Sequence, residues 1–122
     1  MSMQDPGSAL DFEVLRGAIE DRDAETLLSL YADDAEVRTI NRNTTPSSPL
    51  VLRGKEEIGE YLRDVSSREM THKVENEVVG TDRISFQEAC EYPDGVRVLG
   101  AETLDLRNGK IVRQVNVEAW DE

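Results

Sequence analysis

From Thr71 onward apolar and polar residues alternate with a period of two. Before it, apart from a short run at Glu36 to Ile40, apolar residues recur every three or four positions. The chain therefore predicts helices first and strands after. Val96 to Trp120 gives the sharpest signal. Asn108-Gly109 stands between two runs of β-formers, and a type I′ turn takes φ > 0 at both central residues, which this pair tolerates. With these two as the loop, Arg107 faces Lys110, Leu106 faces Ile111, Leu104 faces Arg113 and Glu102 faces Val115. One side of the ribbon then holds Val96, Val98, Gly100, Glu102, Leu104, Leu106, Ile111, Arg113, Val115, Val117 and Ala119, apolar except for Glu102 and Arg113. The other side is polar, relieved by Leu99, Ala101, Val112 and Trp120.

Ser8-x-x-Asp11 reads as a capping-box start, and Leu10, Val14, Leu15, Ala18 and Ile19 extend a first helix to about Asp21. Asp23 caps a second, carrying Leu27, Leu28, Leu30 and Tyr31 and stopping near Ala32-Asp33-Asp34, an acidic pair read as a solvated turn. Glu36 to Ile40 forms a strand. Asn41 to Arg53, with Pro46 and Pro49, reads as a loop long enough to serve as a lid. Gly54 to Val65 places Ile58, Tyr61, Leu62 and Val65 on one side of a third helix. Two strands follow: Thr71 to Val79, with His72, Val74, Asn76 and Val78 on one face, and Ile84 to Tyr92, with Ile84, Phe86, Glu88, Cys90 and Tyr92 together. Pro93-Asp94-Gly95 turns this strand into the ribbon, with Gly95 in the left-handed region and Tyr92 opposite Val96. The pattern is α+β, with helices covering one face of an antiparallel sheet.

At 122 residues the chain is one domain. Residues 1–8 read as a disordered lead-in and 9–122 as the folded part. A net charge of −12 argues against nucleic acid and anionic membranes as partners. No apolar run approaches the roughly 18 residues of a membrane span, and no signal peptide opens the chain, so a cytoplasmic location is the expectation. A lone cysteine, Cys90, forbids an internal disulfide, and one histidine without a cysteine cluster predicts neither metal nor cofactor.

Two charges on an otherwise apolar face need an explanation, because an unpaired buried charge costs several kcal/mol. Glu102 and Arg113 are diagonal neighbours in the predicted register, and Glu88 lies opposite Gly100 and diagonal to Glu102. If desolvation and repulsion between the carboxylates prevail, one glutamic acid stays neutral and works as an acid beside the other as base. If Arg113 prevails, the trio is an ion-pair network that holds strands together. His72 is the sole imidazole and a second candidate base. The candidate catalytic residues are thus Glu102, Glu88, His72 and Arg113, and the residues expected to surround them are Asn76, Phe86, Tyr92, Val98, Leu104, Val115, Tyr61 and Thr39. Leu99, Ala101, Val112 and Trp120 on the outer sheet face predict a homodimer contact.

Asp23-Ala24-Glu25, Leu30-Tyr31-Ala32-Asp33-Asp34-Ala35-Glu36-Val37, Arg53-Gly54-Lys55-Glu56-Glu57-Ile58 and Arg107-Asn108-Gly109-Lys110-Ile111-Val112 resemble the nuclear transport factor two-like (NTF2-like) superfamily. Within it they resemble the SnoaL-like polyketide cyclases and ketosteroid isomerases. The likeness runs over roughly residues 9 to 120. It implies a cone-shaped fold, three N-terminal helices packed on a curved antiparallel sheet, with an interior pocket and usually a homodimer. It further implies a small apolar or oxygenated ligand and, where there is activity, cofactor-free isomerase or cyclase chemistry. Two other readings stay open: a non-catalytic binding or dimerisation module, and an epoxide-hydrolase-like hydrolase. Of the steroid isomerases' functional positions, the second carboxyl group falls on Glu102, while Leu15 and Thr39 stand at the other two. Gly100 stands where the epoxide hydrolases keep an arginine.

Overall fold

The computed structural model describes residues 10–121. Along the chain run α1 (Phe12–Glu20), α2 (Ala24–Ser29), β1 (Tyr31–Ile40), β2 (Leu50–Arg53), α3 (Gly54–Ser67), β3 (Thr71–Val79), β4 (Arg83–Glu91), β5 (Arg97–Arg107) and β6 (Lys110–Trp120). The strands form one sheet in the order β2-β1-β6-β5-β4-β3. This is the α+β arrangement, helices packed on one sheet, that the pattern predicts. Two particulars differ: α3 enters after two strands, and β1 runs parallel to β6 in an otherwise antiparallel sheet. No helix among the described residues is long and apolar enough to cross a membrane.

Ser8 lies outside the described residues; the observed cap of α1 is Asp11, which accepts hydrogen bonds from the amides of Glu13 and Val14. Phe12, Leu15, Ala18 and Ile19 of α1 and Ile58 and Leu62 of α3 pack onto Val37, Val74, Ile84, Phe86, Leu104 and Ile111 of the sheet. Phe12 meets Phe86 edge to face at 6.0 Å. The second helix ends at Ser29, short of Tyr31. There the Ile111 amide donates to the Leu30 carbonyl at 2.9 Å and draws the chain into the sheet, so Tyr31 begins β1 with its side chain buried. Asp33 and Asp34 stay exposed, in a stretch where β1 bulges away from β6, and Arg107 pairs with Asp34 at 2.9 Å. The end of the expected loop, Leu50–Arg53, is a short strand paired with β1.

Both predicted turns form. Asn108 and Gly109 have φ of 54° and 76°, and Gly95 has φ of 91° with the Tyr92 amide donating to Val96. Leu106 faces Ile111 and Arg107 faces Lys110, as the turn dictates. The register then shifts: Asp105 faces Arg113, Leu104 faces Gln114 and Glu102 faces Asn116. Val112 is the extra residue of a β-bulge, and an odd insertion exchanges the two sides of every later position. Gln114 and Asn116 are therefore buried, while Arg113 and Val117 are exposed. This corrects the placement of Arg113 and Val115 on the inner face.

A second bulge corrects Asn76. β3 shifts register against β4 between Glu75 and Val78, with Asn76 in the left-handed region at φ 57°. Asparagine adopts that conformation at little cost. Asn76 is exposed and donates to Gln87 at 2.8 Å instead of lining the interior, and Val78 is 67% exposed. Arg16 of α1 fastens the bend, donating to the Val74 carbonyl at 3.0 Å and to Glu77 at 2.8 Å.

If Val112 sets the face of β6, deleting it should turn Arg113 and Val115 inward and abolish the cooperative urea transition. Val112→Ala keeps the residue count and should cost less than about 1 kcal/mol. Cooperative unfolding of the deletion variant at wild-type denaturant would refute this account of the bulge.

Candidate active site

Between the helices and the concave face of the sheet lies a cavity of about 240 Å³. Its apolar wall comes from Leu15, Ala18 and Ile19 of α1, Leu27 of α2, and Leu62 and Val65 of α3. Its polar floor comes from neighbouring strands: His72 on β3, Glu88 and Cys90 on β4, Glu102 on β5, and Gln114 and Asn116 on β6. Alternation places each of these inward. His72 pairs directly with Cys90, Glu88 with Gly100, and Glu102 with Asn116.

The expected residues Glu102, Glu88, His72, Phe86, Tyr92, Val98, Leu104, Tyr61 and Thr39 all line this cavity. Arg113, Val115 and Asn76 do not, because the two bulges turn them away. In their place the fold supplies Tyr31, Gln114, Asn116, Glu118 and Trp120, which the sequence pattern put elsewhere. Gln114, Asn116 and Glu118 do form a period-two polar stripe in the sequence. Shifting the second strand of the ribbon by one residue would have found them, but nothing in Val112 itself announces the shift.

The floor is one continuous set of hydrogen bonds. His72 Nδ1 lies 2.7 Å from Glu88 Oε2, with side chains only 4% and 14% exposed. Cys90 Sγ is 3.3 Å from the same oxygen and 3.2 Å from His72 Nδ1. Glu102 stands beside Glu88 across Gly100, and the two carboxyls influence each other. Gln114 Nε2 donates to Glu102 Oε1 at 3.1 Å and to Asn116 Oδ1 at 2.8 Å, and Tyr31 donates its hydroxyl to Gln114 Oε1. Asn116 continues to Thr39 at 3.3 Å. At the cavity's edge Arg68 donates to Tyr92 at 3.1 Å, the Tyr92 and Trp120 rings lie 5.9 Å apart, and Glu118 accepts from Asn41 at 3.0 Å and Trp120 at 3.2 Å.

This geometry drives the two carboxyl groups apart. Burial, then the negative charge and hydrogen bond of Glu88, and then the charge of Glu118 hold the Glu102 carboxyl well above the ordinary carboxylate range. For Glu88, burial is the largest influence and pushes upward. Hydrogen bonds from His72 and Glu102, the His72 charge and the Cys90 thiol together outweigh it, so this carboxyl is held below its usual value. The surroundings thus favour the acid form of Glu102 and the carboxylate form of Glu88, with no arginine in the pair. Burial also raises the Cys90 thiol and the Tyr31 and Tyr61 hydroxyls, followed by the nearby carboxylate charges, so all three keep their protons.

His72, Glu88 and Cys90 bring one nitrogen, one oxygen and one sulfur within 4.8 Å of one another. Two such ligands at about 2.0–2.1 Å from a tetrahedral zinc ion sit roughly 3.3 Å apart. The 2.7 Å separation of Nδ1 and Oε2 is a hydrogen-bond contact, so the triangle is closed and would have to open to take an ion.

A model of the SnoaL-like domain family matches residues 13–114. No curated protein matches the chain in sequence. Among solved structures, an NTF2-like protein of unknown function from Mesorhizobium loti superposes with a TM-score of 0.76 at 16% identity, over 88% of this chain and 87% of that one. A protein named as a candidate ketosteroid isomerase from Kribbella flavida gives 0.71 at 15% identity, over 91% and 75%. A SnoaL-like protein of unknown function from Burkholderia thailandensis gives 0.64 at 21%, over 90% of each chain. At these identities the likeness establishes the fold.

The opposed carboxyls generate a pH signature. Glu102, raised above 4.5, holds in the folded state a proton that the unfolded chain releases, so stability falls as pH rises from about 4.5 through its folded value. Glu88, lowered, contributes stability above 4.5 that is lost as pH falls through its folded value. Glu102→Gln keeps an acceptor for Gln114 and a donor for Glu88. Its Tm should lack the wild type's fall above pH 4.5 while keeping the acid-side loss. An unchanged fall in the variant would assign that titration to another group.

Proposed function

The chain belongs to the SnoaL-like domain family, and from that membership and the paired carboxyls of the cavity we propose a cofactor-free acid–base enzyme of isomerase or cyclase type, acting on a small apolar, oxygenated molecule. The observation that carries this reading is that Glu102 and Glu88 line one cavity and interact there, with surroundings that favour the neutral form of the first and the ionised form of the second. Two carboxyls pushed apart in this way supply a hydrogen-bond donor and a base at the same pH.

The apolar wall removes the ligand's hydrocarbon part from water, and the polar floor receives its oxygen. Glu102 donates to a carbonyl oxygen, where negative charge builds as the neighbouring carbon loses its proton to Glu88 or His72. The C–H electron pair moves into an enol. Return of the proton at another carbon completes an isomerisation, whereas attack of the enol on a second carbonyl closes a ring. Cys90 and His72 hold Glu88 ionised through their hydrogen bonds. An epoxide-hydrolase-like reading would want an arginine beside the two acids. Arg113 faces outward and Gly100 occupies the place expected for one, so that reading loses its charge-setting group.

For the outer face we propose a second copy of this chain as partner. The bulge that hides Gln114 sends Val117 out beside Ala101, and Leu99 and Val117 are 47% and 49% exposed. Arg97, Arg113, Glu91 and Asp105 supply both signs of charge to the same side, which suits a patch that pairs with itself. Sedimentation should give a dimer for the wild type and a monomer for Val117→Glu; a wild-type monomer at high concentration would end this proposal.

Small cyclic ketones and enones in D₂O provide the test of activity. Protein-dependent exchange of the protons next to the carbonyl, followed by NMR, should be reduced about 10²- to 10⁴-fold in both Glu88→Gln and Glu102→Gln. Exchange at the wild-type rate in folded Glu102→Gln would refute the assignment. Compounds that raise Tm without any exchange would make the cavity a binding module instead.

A further inference from the structure

Glu102 has two oxygens, and they have different surroundings. Oε1 accepts the Gln114 amide at 3.1 Å. Oε2 faces the place where Gly100 has no side chain: a Cβ built there would lie 3.6 Å from it and 3.9 Å from the Glu88 carbonyl. We propose that Tyr31 and Gln114 are positioning residues, Tyr31 fixing Gln114 and the Gln114 amide occupying Glu102 Oε1, so that Oε2 carries the proton and presents it to a ligand oxygen seated in the niche over Gly100. This rests on reading the cavity as a ligand site and adds which atom serves it and what holds that atom.

The direction of each hydrogen bond follows from what its members can do. Tyr31 is buried, keeps its proton and gives it to Gln114 Oε1, which can only accept. The amide nitrogen of Gln114 must then face the other way. There its two hydrogens meet Glu102 Oε1 and, at 2.8 Å, Asn116 Oδ1. Asn116 Oδ1 being engaged, its own nitrogen is left to donate to Thr39. A hydrogen bond received at Oε1 favours that oxygen as the carbonyl of the neutral acid and leaves the proton on Oε2. In the resting site this proton serves Glu88. A ligand oxygen entering the niche would take it as a hydrogen bond while Glu88 is freed to act as base.

Gly100 is accordingly a specificity position. Its φ is not positive, and an added methyl would make ordinary van der Waals contacts, so Gly100→Ala should fold like the wild type. The same methyl fills the space the ligand oxygen needs.

Two variants and one background decide the matter. Tyr31→Phe removes the donor that fixes Gln114. The carboxylate of Glu102 then loses a dependable donor, and the alkaline fall in Tm should move to higher pH. It should also slow ketone proton exchange about tenfold, roughly the worth of one hydrogen bond. Neither effect should remain in a Glu102→Gln background, where an independent structural role would persist. Gly100→Ala should keep the wild-type Tm and pH profile yet lose the Tm rise given by ketones that stabilise the wild type. A pH profile unmoved by Tyr31→Phe overturns the positioning role, and an undiminished ketone response in Gly100→Ala overturns the niche. If no ketone affects the wild type, the enzymatic reading fails by itself, while the Tyr31 pH profile still judges the positioning of Glu102.

Discussion

Val112 has no partner of its own on β5, and the side of β6 that meets the helices turns on that one residue. Strand geometry gives no intermediate choice: a side chain points to one face or the other, and an inserted residue reverses all those beyond it. Below the insertion, Ile111 anchors the turn in the core; above it, Gln114 and Asn116 enter the floor of the cavity and Arg113 leaves it. The interior thereby receives two neutral amides instead of a cation and a valine. That exchange decides the electrostatics of everything nearby.

Without a guanidinium beside them, the two glutamates are distinguished only by their hydrogen-bond partners and depth. Glu88 accepts from His72, Cys90 and Glu102, each of which favours its ionised form. Glu102 receives one amide hydrogen and otherwise faces burial and like charge. Coulomb repulsion at contact distance in a poorly solvated cavity is worth several kcal/mol, so the first carboxyl to ionise keeps the second neutral. An arginine in the floor would have levelled both and turned the pair into a strut. The asymmetry that suits acid–base chemistry thus descends from a backbone irregularity at Val112, just before the first amide it places inside, Gln114.

The second bulge does related work at the opposite edge of the sheet. Asn76 takes a left-handed conformation, β3 bends, and Arg16 ties the bend to α1 through the Val74 carbonyl and Glu77. Val74 and His72, before the bend, remain inward, while Val78 and Val79, beyond it, are exposed. Curvature concentrated at bulges lets one continuous sheet wrap three short helices and still leave a hollow about 240 Å³ in volume between them.

The sequence by itself determined the order of helices and strands apart from β2, the Asn108-Gly109 and Pro93-Asp94-Gly95 turns, the inward set of β4 and β5, and hence the meeting of Glu88 and Glu102. These rest on local turn chemistry and on strict alternation counted outward from a turn, both of which are written in neighbouring residues. The tertiary structure alone decided that Tyr31 belongs to a strand, since a hydrogen bond from Ile111, far along the chain, ends the helix before it. It alone decided that Leu50–Arg53 pairs with β1, and that Arg113, Val115 and Asn76 turn outward while Gln114 and Asn116 turn in. A bulge is chosen because the sheet as a whole packs better around its core with it, and at Val112 no residue type marks the spot. Alternation therefore predicts faces correctly up to the first irregularity and inverts them after it.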